Sequence, residues 1–164
     1  MQDLIDLFRH NSWANGKVFD LVAGLDAQVI AGEAPGTRST VTGTLAHLAR
    51  VEYVYLAMLE QRPWPSLESD AAYRAHDLSW FRSHVQELGA AYLTLLDAIT
   101  PEGLGRALDI PWFDFRVTAR EGLLQVLTHS AQHRSQVLSW LSTRGVPTPD
   151  LDYVLMLREM RQPE

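Results

Sequence analysis

His129 and His133 stand four residues apart in Leu123 to Leu141, a stretch with neither proline nor glycine. On a helix, successive residues advance by about 100°, so the two imidazoles project from one face and can share a divalent ion. Val126, Val137 and Trp140 lie on that side, while Gln125, Thr128, Gln132, Ser135 and Ser139 form an adjoining polar face. The pair therefore sits at the border of the buried stripe. An i,i+4 histidine pair is a weak signal alone. A third histidine gives it weight, because His47 shares a helical face with Thr44, Leu48, Val51, Val54, Tyr55 and Met58 and points inward with them. Catalytic zinc-type sites use three protein ligands and structural ones are closed by four, so three histidines without a cysteine describe an open site. The competing reading makes each histidine a core side chain satisfied by a carbonyl or hydroxyl. For the trio together, a shared ion is the better account.

Other polar residues also fall on buried faces. Asn11, Ser12 and Asn15 share the face of Leu4, Phe8, Val18, Phe19 and Val22, and must either hydrogen-bond neighbouring helices or line a pocket. Arg134 shares a face with Leu123, Leu127, Leu138 and Leu141, where an unpaired guanidinium is costly. It needs a carboxylate, for which Glu52 and Asp152 are the candidates. Such a pair would fix the helix that carries the histidines; alternatively Arg134 reaches past the apolar edge to water. His10, His76 and His84 read as surface residues. Trp64, Trp80, Trp112 and Phe113 could form a hydrophobic entrance or a dimer contact, although core packing is the commoner fate of such side chains.

The elements that must position these groups are helices. Apolar residues recur at helical spacing over Leu4 to Leu21, Val41 to Leu59, Leu78 to Ile99 and Leu123 to Leu141, with Thr40, Asp77 and Thr118 as N-cap candidates. Breaks fall at Leu25 to Thr37, which contains Pro35-Gly36, and at Arg62-Pro63-Trp64-Pro65-Ser66. Arg106 to Thr118 alternates only in part and is interrupted by Pro111, which predicts an irregular crossover with at most a short hairpin before the fourth helix. After Gly145-Val-Pro-Thr-Pro149, a short helix over Asp152 to Met160 ends the fold. The expectation is an all-α, four-helix bundle forming a single domain over residues 1–164.

Composition excludes several classes of function. The chain has 164 residues and a formal charge of −6, and its 14 basic residues are scattered, so no nucleic-acid surface is expected. Without cysteine there is neither a disulfide framework nor a thiolate ligand. No run approaches the roughly 20 apolar residues of a membrane span, and no basic-then-apolar leader opens the sequence. A cytoplasmic protein without a membrane partner is expected.

Trp13-Ala-Asn15, Thr44-Leu-Ala-His47-Leu, His129-Ser-Ala-Gln-His133-Arg134-Ser-Gln136 and Asp152-Tyr153, in that order, resemble the DinB/YfiT-like superfamily of metal-dependent enzymes. Ser135 departs from the family pattern, which usually has glycine there and which puts helix packing in question. The resemblance covers essentially the whole chain. It implies an up-down-down-up bundle, commonly homodimeric, with His47, His129 and His133 as ligands for one divalent ion such as zinc or nickel. It also implies a small-molecule substrate. Family activities point first to a transferase in which the ion activates a low-molecular-weight thiol cosubstrate. The alternatives are a metal-dependent hydrolase and a metal-binding stress-response module without turnover.

Overall fold

The computed structural model describes residues 1–37, 40–64, 73 and 75–162. Four long helices dominate: α1 (Gln2–Ala23), α3 (Val41–Leu59), α4 (Leu78–Ala98) and α6 (Ala119–Thr143). Among the described residues, the one-turn helices α2 (Ala27–Ala31) and α5 (Pro101–Gly105) lie in the connections, and α7 (Tyr153–Arg161) follows the bundle. No helix among the described residues is long and apolar enough to cross a membrane.

The helix starts follow from local chemistry. The Thr40 hydroxyl accepts from the Gly43 amide and the Asp77 carboxylate from the Trp80 amide, so each satisfies a backbone donor that the first turn leaves open. Thr118 and Glu121 form a reciprocal capping box at the head of α6. That box starts α6 at Ala119, a full turn before the apolar repeat becomes visible at Leu123. The short helices α2 and α5 are also capped, by Asp26 and Thr100. One turn is too brief to show apolar periodicity, so neither was legible in the sequence.

α1 packs against α4 and α6, and α3 packs against the same two, while α1 and α3 are not a closely packed pair. Consecutive long helices α1 and α3 are thus placed across the bundle from each other. Helices α1 and α4 approach closely at Gly89, where an added Cβ would lie 2.8 Å from the Ser12 Cβ. This contact accounts for a serine on the core face of α1. Ser135 is exposed on α6, so its departure from the family pattern leaves the bundle packing untouched.

The Arg106–Thr118 crossover is more regular than the sequence suggests. It is an antiparallel hairpin, β1 (Ala107–Ile110) paired with β2 (Phe115–Thr118) in the register Ala107↔Thr118 to Ile110↔Phe115. Pro111, which breaks the alternation, occupies the second position of a turn closed by the Phe113 amide on the Ile110 carbonyl, 3.1 Å away. Asp114 takes φ 47°, a left-handed conformation that aspartate tolerates better than most residues. Leu108 and Ile110 are buried and anchor the hairpin to the bundle, with Leu108 seated over Gly122 of α6. The chain break expected at Pro65-Ser66 lies outside the described residues.

The buried apolar residues form two clusters. One gathers Phe8, Tyr55, Leu59, Tyr92, Leu96 and Leu123; the other gathers Phe19, Val41, Leu45, Phe81, Trp140 and Leu141. Along α1, α3 and α6, the residues between these clusters include Asn11, Asn15, Glu52, Ser130 and Arg134, all buried. The bundle therefore carries a polar layer across its middle.

Candidate metal centre

His47 comes from α3 and His129 and His133 from α6, two helices in direct contact. Nε2 of His129 lies 3.2 Å from Nε2 of His47 and 3.1 Å from Nε2 of His133. One potential ligand atom from each ring lies within 4.8 Å of the other two. A ring nitrogen offers one in-plane direction, used either by a proton or by a lone pair. The His129 nitrogen therefore cannot hydrogen-bond both neighbours at once. Three converging nitrogens instead suit one cation, since tetrahedral coordination at about 2.0–2.1 Å puts the donors roughly 3.3 Å apart.

Gln136 adds direction to the set. Its Oε1 accepts from Nδ1 of His133 at 2.7 Å, which assigns the proton to Nδ1 and leaves the Nε2 lone pair facing the other imidazoles. His133 is buried, and His47 and His129 are half-buried, so the cluster has a protein side and an open side.

The open side is a cleft of about 550 Å³. Its wall includes Val51, Val54, Tyr55, Trp64, Trp112 and Phe113, and its polar lining includes Arg50, Gln125, Gln132 and Gln136 beside the three histidines. None of these described lining residues is acidic, and Arg50 carries the one fixed charge among them. Burial raises the Tyr55 pKa, so its hydroxyl stays protonated and can donate. Of the four aromatics singled out in the sequence, three border this cleft. Trp80 instead packs with Tyr73, His76, Phe81 and His84.

Behind the histidines lies the polar layer. Oε1 of Glu52 accepts from Asn11 Nδ2 at 2.8 Å, Asn15 Nδ2 at 2.9 Å and Ser130 Oγ at 2.6 Å. The oxygen ends of the same two amides each accept from Nη1 of Arg134 at 2.6 Å. Two carboxamides thus stand between anion and cation, each turning its dipole to suit both. Burial pushes the Arg134 pKa down to about 10, against the opposing pull of Glu52, so the guanidinium remains charged near neutral pH. Asn11 and Asn15 therefore tie helices together rather than line the cleft.

Two expectations require correction. Asp152 is not a partner of Arg134; it is exposed at the N-cap of α7, and the carboxylate acting on Arg134 is that of Glu52. The apolar face of α6 signalled the need for an anion, but a distant C-terminal residue could be excluded only in three dimensions. Nor are all three remaining histidines surface groups. His10 is half-buried with Nε2 donating to the Leu151 carbonyl at 2.7 Å, at the seam between α1 and the start of α7. His84 is half-buried against Tyr53, Tyr73 and Trp80, and burial lowers its pKa despite nearby Glu87. His76 is exposed, stacked on Trp80 with ring centroids 3.8 Å apart. The polar neighbours of His10 and His84 in sequence concealed their tertiary contacts.

Arg50, Tyr55 and Gln136 were not foreseen as site residues. Gln136 left a local signal, standing three residues after His133 on the same helical face, and Tyr55 shares the inward face of His47.

A family model described as the DinB family matches residues 1–164. Among solved structures, YfiT from Bacillus subtilis is described as a probable metal-dependent hydrolase with an unusual four-helix bundle topology. It matches with a TM-score of 0.71 over 90% of this chain and 90% of its own, at 17% sequence identity. That likeness extends the fold, a four-helix core with minor additional helices, to a solved relative. No curated protein matches the sequence.

Proposed function

The chain belongs to the DinB family, and on that premise we propose that it is a metal-dependent hydrolase of small molecules, with His47, His129 and His133 holding one divalent ion. The convergence of three Nε2 atoms at the floor of an open cleft carries this reading. Zinc and nickel both suit an imidazole set. Once bound, the ion supplies Lewis acidity, polarising a substrate oxygen and lowering the pKa of its remaining ligand toward neutrality.

The chain's own groups supply the rest. Gln136 holds His133 in the tautomer that binds. Glu52 and Arg134, through Asn11, Asn15 and Ser130, hold α1, α3 and α6 in register behind the ligands. Tyr55, kept protonated by burial, and Arg50 can meet negative charge that develops on a substrate oxygen. Among the described residues of the lining none is a carboxylate.

The test is turnover of a panel of chromogenic esters and amides by protein stripped with chelator and reloaded with zinc or nickel. Hydrolysis should depend on the ion, need no added thiol, and be absent in His129→Ala. Turnover that requires a low-molecular-weight thiol would replace hydrolysis by S-transfer. Gln136→Leu offers a separate check on the ligand set. Loss of an outer hydrogen bond to a metal-bound histidine lowers metal affinity by roughly 10–100-fold. Competition with a chromophoric chelator should show a weakening of that order with the helical content unchanged.

A further inference from the structure

The cleft is asymmetric in its chemistry. One end holds the three imidazoles, and another wall is aromatic. There Trp112 meets Tyr55 and Trp64 edge to face, with ring centroids 5.9 Å and 5.7 Å apart. Trp112 is half-buried although it stands on the hairpin turn, and neighbouring Phe113 is 71% exposed. A large flat side chain retained at a turn, braced by two rings and bordering a cleft, offers an apolar surface to whatever enters.

An aromatic molecule entering the cleft would bury its ring against the indoles while placing an oxygen at the imidazoles.

We infer that the substrate pairs an oxygen-bearing reacting group, seated at the three histidines, with an aromatic group held against Trp112 and Trp64. This inference rests on the reading of the histidine trio as a metal centre. It names Trp112 as a residue that sets specificity rather than one that takes part in the chemistry.

The test uses three metal-chelating hydroxamates against zinc-loaded protein, with affinity read by calorimetry. Benzohydroxamate carries the ring, cyclohexanecarbohydroxamate a non-aromatic counterpart, and acetohydroxamate neither. Burying the ring should make benzohydroxamate bind on the order of tenfold or more tighter than acetohydroxamate, and aromatic contact should place it a few-fold ahead of the cyclohexyl compound. In Trp112→Ala the advantage over acetohydroxamate should fall to within about threefold, while acetohydroxamate binds as in the parent, which shows the site intact. Equal binding of all three compounds by the parent overturns the inference and leaves the metal centre standing. An advantage for benzohydroxamate that survives in Trp112→Ala also overturns it. If none of the three binds zinc-loaded protein, the inference falls; if the protein takes up no zinc at all, the metal-centre reading falls and the inference falls with it.

Discussion

His133→Ala protein, stripped and then exposed to excess zinc, is expected to gain essentially none of the thermal stability that the parent gains. A ligand that binds only the folded state stabilises it by about 4 kcal/mol when present at 1,000 times its dissociation constant. For a chain of this size that corresponds to a rise in melting temperature on the order of 10 °C. Removal of one of the three histidines leaves two imidazoles in the cluster, and zinc sites of either class use at least three protein ligands. His133 is the most telling choice because it is the buried member and its tautomer is fixed by Gln136. The metal-free variant should fold, because the polar layer and both apolar clusters lie outside the substitution. Elemental analysis after desalting should find about one ion per chain in the parent and far less in the variant. Full occupancy in alanine variants of all three histidines would eliminate this metal centre.

Glu52→Ala is expected to be the most destabilising single substitution in the polar layer, with an effect that is independent of metal. Glu52 is 1% exposed and its Oε1 accepts three hydrogen bonds. Alanine there strands two amide donors, the Ser130 hydroxyl and the Arg134 charge. Removing one partner from a buried ionic network costs about 3–5 kcal/mol, a large share of the roughly 5–15 kcal/mol that holds a typical domain together. Urea unfolding of metal-free protein should show a loss of that size at an unchanged slope. Glu52→Gln keeps an acceptor oxygen but not the charge, and should fall between alanine and the parent. A Glu52→Ala variant within 1 kcal/mol of the parent would show that the layer does not depend on this anion.

The convergence of the three histidines was legible in the sequence because helical periodicity converts spacing into direction. His129 and His133 share a face by their four-residue offset, and the apolar neighbours of His47 state which way it points. The demand for an anion near Arg134 was legible for the same reason. Its solution was less so: sequence periodicity gives the face a side chain occupies but not its height relative to other helices, so Glu52 and Asp152 remained equivalent until the bundle was assembled. Asn11 and Asn15 stood out as amides on an apolar face, yet their role as spacers between two charges depends on three helices at once. The hairpin was obscured because Pro111 breaks an alternation that persists for only four residues on either side. The cleft wall was harder still, since Tyr55, Trp64 and Trp112 come from three separate elements and meet only in three dimensions.

The hairpin separates two tasks that many catalytic pockets entangle. Its buried feet, Leu108 and Ile110, fasten it to the bundle, whereas the turn that bears Trp112 and Phe113 borders the cleft. Substitutions or added residues in that turn could reshape the entrance without moving the imidazoles on α3 and α6. Inheritance can therefore conserve the ion-binding apparatus while the choice of molecule drifts, and relatives with the same histidines need not share a substrate.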